Sequence, residues 1–296
     1  MDSIKKRNLF WAVTALLVAV LIIVSIVILA KGPRDSSVEL VSKSGSAELT
    51  VNDMYDGQMT IPYFDIPTSS YKPDSFLENK GVITYEGGDS FVGINVNSKR
   101  GDIDWQQVKD SGVDYAMIRV GWRADEGGKI AEDEKFEDNI KGATEAGLPV
   151  GVYFYSKAVT DAEAEEEATF VLEKIRTYNV TYPVAIYWEY DTKDDGTPDE
   201  SKRTVRCNGD QVTGFIDTFC KKIEATGRTA SFYCDKSMGY TKLDLSKLSH
   251  YDMWYAEFRS VPSFYYNYTM WQYTKSGTVP GIEGEVPINL SLKKYG

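Results

Sequence analysis

The sequence predicts an α/β chain whose main body is a (β/α) TIM-like barrel, preceded by an N-terminal transmembrane helix and a linker. Three observations predict it. From Phe91 onward, strand-like and helix-like runs alternate, the pattern of parallel strands joined by crossover helices. Leu9 to Ala30 is free of charge for about 22 residues, which as a helix spans about 33 Å and so crosses a hydrocarbon core of roughly 30 Å. Between these two regions, residues 31–90 mix flexible serine-rich stretches with short strand-like runs.

Residues 1–8 form a short cytoplasmic segment in this reading. Lys5, Lys6 and Arg7 precede the apolar run while Lys31 and Arg34 follow it, a modest bias that places the N-terminus inside and the C-terminal domain outside. The alternative to an anchor over 9–30 is a cleaved signal peptide. That would carry a shorter apolar core of about 7–15 residues and a small-x-small cleavage site, which Ile28-Leu29-Ala30 does not supply. Within 31–90, Ser36-Ser37 and Ser42-Lys43-Ser44-Gly45-Ser46 read as linker, whereas Met59–Phe64 and Gly81–Tyr85 have strand composition. A spacer lifting the domain from the bilayer is the plainer expectation; a small extension packed on the barrel is the other.

The domain is expected over 91–296. Its strands are predicted at Val92–Val96, Tyr115–Val120, Val150–Tyr155, Val184–Trp188, Thr229–Cys234, Met253–Ala256 and Met270–Tyr273. The clearest helix starts at Thr160, where Thr160-x-x-Glu163 makes a capping box, and carries Ala164, Ala168, Val171, Leu172 and Ile175 on one stripe. A second runs from Glu134 to Ala146 and stops before Gly147 and Pro149. Cys220 shares an apolar stripe with Val212, Phe215, Ile216, Phe219 and Ile223, which makes it a core residue.

Charge and composition exclude several functions. A net charge of −11 leaves no basic face for nucleic acid, and any binding of an anionic polymer must rest on stacking and hydrogen bonds. The single histidine, His250, excludes a Ser-His-Asp hydrolase, and no zinc spacing or Cys-His pair is present, so no cofactor is implied. Cys207, Cys220 and Cys234 are odd in number and cannot all pair within one chain; one disulfide among them is left open. Asp191 to Gly196 invites a calcium reading that fails at Lys193 and Lys202, which leaves a solvated loop. Asn179-Val180-Thr181 is a glycosylation sequon, relevant only in a eukaryotic secretory pathway.

The stretch Pro183-Val184-Ala185-Ile186-Tyr187-Trp188-Glu189 places a carboxylate at the tip of a buried strand. Residues two apart on a strand share a face with Cα atoms roughly 6–7 Å apart, so an acid at 187 would complete a two-carboxylate, sugar-cleaving pair. Tyr187 stands there instead. Barrels gather functional groups at the C-terminal ends of their strands, and Asn95, Arg119, Trp122, Tyr153, Tyr155, Tyr187, Glu189 and Trp271 all fall at such ends. Core packing is the ordinary role of any one of these aromatics. Together they have the composition of a sugar-binding groove. Arg119 either holds an acid such as Glu189 or touches substrate.

Gly93-Ile94-Asn95-Val96, Gly101-Asp102-Ile103-Asp104-Trp105, Tyr115 to Gly121, Gly147 to Tyr155, Trp188-Glu189, Trp271-Gln272-Tyr273-Thr274 and Gly281-Ile282 occur in order and at natural spacing. In these motifs the chain, from about Phe91 to its end, resembles glycoside hydrolase family 25, the muramidases that cut peptidoglycan. The resemblance implies a shortened, irregular barrel and a cleft with four acids. By motif, their places fall on Asn95, Tyr187, Glu189 and Pro287, the last within Val286-Pro287-Ile288-Asn289, and only Glu189 is an acid. It further implies Glu189 as general acid and an Asp at position 95 as the group that stabilises the oxocarbenium-like centre or orients the substrate's N-acetyl group.

Tyr187 is uncharged near neutral pH and cannot replace such an interaction, whose loss typically lowers rate by about 100- to 1000-fold. A tyrosine nucleophile, as in sialidases, is the remote alternative. Removing like charges should also lower the pKa of Glu189 unless burial raises it. The expected function is a membrane-anchored domain that recognises peptidoglycan glycan strands with little or no hydrolysis. An active N-acetylmuramidase using Glu189 is the competing expectation, and a wall-side docking platform for a protein partner is a third.

Overall fold

The computed structural model describes residues 39–43 and 46–296. The helix expected over 9–30 and the segment before it lie outside the described residues, among which no helix is long and apolar enough to cross a membrane.

The first described elements are three antiparallel strands, β1 (Glu39–Lys43), β2 (Ser46–Asp53) and β3 (Gly57–Pro62), and a hairpin, β4 (Phe76–Asn79) with β5 (Val82–Tyr85). The barrel follows. Its strands are β6 (Phe91–Val96), β7 (Tyr115–Arg123), β9 (Val150–Ser156), β10 (Val184–Trp188), β11 (Ala230–Asp235), β12 (Asp252–Ala256), β13 (Met270–Gly277) and β14 (Val286–Ser291); β8 (Ile130–Glu132) pairs with the outer end of β7. Parallel pairing runs β6, β7, β9, β10, β11, β12, β13, and β14 closes the ring antiparallel to both β13 and β6. The expected α/β barrel is therefore present, with every strand expected from Phe91 onward found within a few residues of its place.

Helices stand in the crossovers where the apolar stripes put them. Helix Asp161–Lys174 begins at Thr160, whose hydroxyl accepts from the Glu163 N–H; the Glu163 carboxylate returns to the N–H of Val159 rather than of Thr160. Helix Gly209–Glu224 is capped by the reciprocal Asn208–Gln211 pair and buries Val212, Phe215, Ile216, Phe219, Cys220 and Ile223. All three cysteines are buried and free.

β14 was not expected, because Pro287 argues against an interior strand. It is tolerated beside irregular pairing: the β13–β14 register shifts between Gln272, Thr274 and Gly277. Aliphatic residues such as Ile94, Ile118, Val152 and Ile186 face the helices, whereas the barrel interior holds Tyr115, Met117, Tyr153, Tyr233, Trp254 and Met270. Gly93 is part of this arrangement, since a Cβ there would lie 2.2 Å from the Tyr115 ring.

The spacer expected over 31–90 is not what residues 46–85 form. Leu49, Val51, Ile61, Phe76, Ile83 and Tyr85 are buried, which a solvated linker would not require. The connection from β12 to β13 contains no helix, so the outward faces of Tyr255, Trp271 and Tyr273 would otherwise meet water. The extension covers Trp271 and Tyr273, while Phe264 and Tyr268 of the connection itself pack on Tyr255. Phe76 packs edge-on to Trp271 with centroids 5.4 Å apart, the Ile83 N–H donates to the Tyr273 hydroxyl at 3.3 Å, and the Tyr71 hydroxyl donates to the Tyr268 carbonyl at 2.8 Å.

Candidate functional site

Glu189 immediately follows β10, half-buried at the C-terminal mouth of the barrel. Burial pushes its carboxyl up to about 7; nearby Asp235 and Asp191 push the same way, while Lys275 and the Tyr187 hydroxyl oppose. The fall expected from losing neighbouring acids is thus outweighed by desolvation. Extending the β10–β11 register, Ile186 opposite Phe232, by three residues puts Glu189 opposite Asp235. The Asp235 side chain accepts the Met238 N–H at 2.7 Å and so caps the helix Lys236–Thr241.

One layer deeper, Tyr187 stacks on Tyr233, with centroids 3.7 Å apart and planes 20° from parallel. Both phenols are held well above their ordinary pKa by burial, so the place of a strand carboxylate is occupied by a neutral aromatic pair. Asn95 is equally fixed. Its Oδ1 accepts from Gln272 Nε2 at 2.9 Å and Asn289 Nδ2 at 3.1 Å; Asn289 Oδ1 accepts from Trp254 Nε1 at 2.9 Å, and the Tyr233 hydroxyl donates to Gln272 Oε1 at 3.1 Å. Pro287 lies two residues from Asn289 on β14, at the same mouth.

The remaining expected site residues divide. Tyr153 is buried beneath the mouth, its hydroxyl donating to the Val96 carbonyl at 3.4 Å. Tyr155 is half-buried, 5.4 Å from Tyr187 between ring centroids. A register shift in β7 between Arg119 and Gly121 brings Trp122 opposite Tyr155, and the half-buried Trp122 ring lies 4.8 Å from the Arg119 guanidinium. Arg119 does not hold Glu189: its Nε and Nη2 both reach Asp133 Oδ2 at 2.7 Å. Trp271 is not in the cleft. On β13 the residues Met270 and Gln272 face inward, so Trp271 faces outward, fully buried against the extension with its Nε1 donating to the Glu257 carbonyl at 2.9 Å.

Sequence reading missed Tyr233, Trp254, Gln272, Asn289 and Asp133 as parts of this site. For the first four the available signal was strand alternation on β11 to β14; Asp133 had none. The Asp191 loop is tied down by Lys157, whose Nζ bridges Asp125 and Asp191 at 2.6 Å each, and no cluster of residues able to hold a metal ion occurs among the described residues.

The raised carboxyl has a stability consequence. With a folded pKa of about 7 against an ordinary 4.5, the folded state holds the Glu189 proton while the unfolded chain releases it, so stability falls as pH rises between those values. Glu189→Gln is expected to be more stable than the parent by on the order of 1–3 kcal/mol at pH 8 and nearly equal to it at pH 4, as read by denaturant unfolding. Some pH dependence will persist in the variant, because burial also pushes Glu167 up to about 7 against its Arg123 partner.

The family model described as glycosyl hydrolases family 25 matches residues 94–282, more than half of the chain. The chain belongs to glycosyl hydrolase family 25. The autolytic lysozyme of Clostridium acetobutylicum is 28% identical over 198 residues, covering 67% of this chain and 54% of the relative. Lysozyme M1 of Streptomyces globisporus is 25% identical over 209 residues, covering 67% of this chain and 66% of that protein. The solved structure of the modular autolysin LytC from Streptococcus pneumoniae shares the fold, with a TM-score of 0.60 and 23% identity over 85% of this chain and 57% of LytC. The chain thus spans little more than half the length of the first of these lysozymes. In this family member the matched segment excludes the extension, which lies N-terminal to residue 94.

Proposed function

We propose that this protein is a single-pass membrane protein, anchored through residues 9–30 with its N-terminus inside, whose family 25 domain recognises peptidoglycan glycan strands at the cell wall with little or no hydrolysis. Residues 31–90 are then part anchor connection and part extension, and 91–296 the barrel. The observation that carries the reading is the pair of neutral side chains fixed where the resemblance places acids: Asn95, held by two amide donors, and Tyr187, stacked on Tyr233. A cleft without those charges lacks stabilisation for an oxocarbenium-like centre but keeps aromatic faces, Trp122 and Tyr155, able to meet a sugar ring. The pneumococcal relative LytC has been solved with a synthetic peptidoglycan ligand, and the curated relatives are lysozymes, which supports the choice of polymer. The acidic charge disfavours nucleic acid, and a protein partner is the alternative use of the same face.

The raised pKa of Glu189 favours a second reading, an N-acetylmuramidase in which Glu189 protonates the leaving oxygen and Asp235, one strand over, stands in for the missing carboxylate. Purified full-length protein is expected to sediment with peptidoglycan and to release no new reducing ends, beside an active family member that digests the same substrate. Release abolished by Glu189→Gln would overturn the non-hydrolytic reading in favour of the second; failure to sediment together with no release would remove both.

A further inference from the structure

The hairpin tip between β2 and β3 reaches the rim of the barrel mouth and is pinned there. Lys236, the residue after β11, places its Nζ 2.9 Å from Asp53, 2.8 Å from Asp56 and 3.1 Å from Glu257, the residue after β12. Asp53 in turn accepts the N–H groups of Tyr55 and Asp56 at 2.8 and 3.0 Å, which shapes the tip. The Tyr55 hydroxyl donates to the Val261 carbonyl at 2.9 Å. A tip held by one lysine and three carboxylates is a fixed part of the rim.

Of five large apolar side chains left exposed among the described residues, three lie on this rim: Met54, Tyr55 and Phe258. The other two, Leu77 and Val82, belong to the separate β4–β5 hairpin. The rim aromatics carry cations. The Arg259 guanidinium sits 5.0 Å from the Tyr55 ring centroid, and Lys275 Nζ sits 4.6 Å from that of Phe258. Lys275 also acts electrostatically on Glu189. Lys275, Phe258, Arg259 and Tyr55 are therefore joined by two ring–cation contacts and by chain adjacency into one strip on the rim, which ends on the extension.

We infer that this strip is an added binding subsite, in which the extension lengthens the glycan groove beyond the barrel. Its occupant is the continuation of the strand whose nearer sugars lie at Glu189, so the inference rests on the proposed glycan recognition. Two chemical features fit a peptidoglycan glycan: the apolar C–H face of a pyranose against Phe258 and Tyr55, and, on muramic acid residues whose stem peptide has been removed, the freed lactyl carboxylate against Lys275 and Arg259.

The test compares binding of a peptide-free disaccharide and octasaccharide of peptidoglycan glycan to the full-length protein. The parent is expected to bind the octasaccharide at least about tenfold more tightly. Phe258→Ala with Tyr55→Ala should weaken the octasaccharide about tenfold and leave the disaccharide within about twofold. Phe258→Ala alone is the control for folding, since that ring is exposed and lies against the Lys275 side chain; it should lose part of the same preference. Lys275→Gln with Arg259→Gln should flatten the salt dependence of octasaccharide binding. Equal affinities of the parent for both lengths, or an undiminished length preference in a folded Phe258→Ala, Tyr55→Ala variant, would overturn the subsite alone. No binding of either oligosaccharide would instead overturn the glycan reading on which it rests.

Discussion

Replacing Asn95, Tyr187 and Pro287 together by aspartate is expected to raise reducing-end release from peptidoglycan at least about 100-fold over the parent chain. Asn95→Asp should preserve the local hydrogen bonds, because one carboxylate oxygen can accept the same Gln272 and Asn289 amide donors that Asn95 Oδ1 accepts now, while the Tyr153 hydroxyl beside it is able to donate to the carboxylate. A charge with preorganised donors in a water-poor site is the kind of group that stabilises a developing cation. Tyr187→Asp is the disruptive member. It removes a ring stacked on Tyr233 and leaves a cavity, at a cost on the order of 3–5 kcal/mol, so activity must be read on protein shown to be folded. The new carboxylate would also push Glu189 further up and keep it protonated at neutral pH, as a general acid requires. Asn95→Asp alone should give a smaller gain, since the other two positions stay uncharged. A folded triple variant as silent as the parent would mean that the missing acids are not what limits hydrolysis here.

The parts of the fold governed by local patterning were legible in the sequence. Strands from Phe91 onward, the Thr160 cap and the stripe through Cys220 all follow from periodicity and capping chemistry that act over a few residues. Glu189 at a strand tip was legible for the same reason. What failed depended on partners far along the chain. Arg119 finds Asp133 because the short strand β8, which was not expected, folds back antiparallel on β7 and ends beside it. The extension reads as a spacer until the helix-free connection between β12 and β13 is seen, because only then does an uncovered aromatic face demand a cover. β14 carries a proline that local rules count against a strand, yet closure of the barrel needs it. The interior layer was hidden by an inversion of the usual distribution: branched aliphatics commonly fill such barrels, whereas here they face the helices and tyrosine, tryptophan and amide side chains fill the centre.

Trp271 separates these two kinds of legibility most sharply, since Met270-Trp271-Gln272-Tyr273 offers large side chains to both faces and strand period alone does not say which pair is inside. With Gln272 bonded to Asn95 in the interior, Trp271 must face the extension. Trp271→Ala is therefore expected to destabilise the domain by about 3–5 kcal/mol, through the lost contact with Phe76, the cavity it leaves and the orphaned Glu257 carbonyl. Denaturant midpoints should show the loss, and protease sensitivity should rise first in residues 46–85, whose docking surface the substitution removes. Below the melting transition, peptidoglycan binding by the remaining folded molecules should be close to that of the parent. A cleft residue would give the reverse, unchanged stability with lost binding, and that result would return Trp271 to the groove. Glu257 connects Trp271 to the hairpin tip, because its carbonyl accepts from Trp271 Nε1 while its side chain shares Lys236 with Asp53 and Asp56. Loosening Trp271 should thus also blunt any preference for long glycan strands, in proportion to the fraction of molecules whose extension has come away.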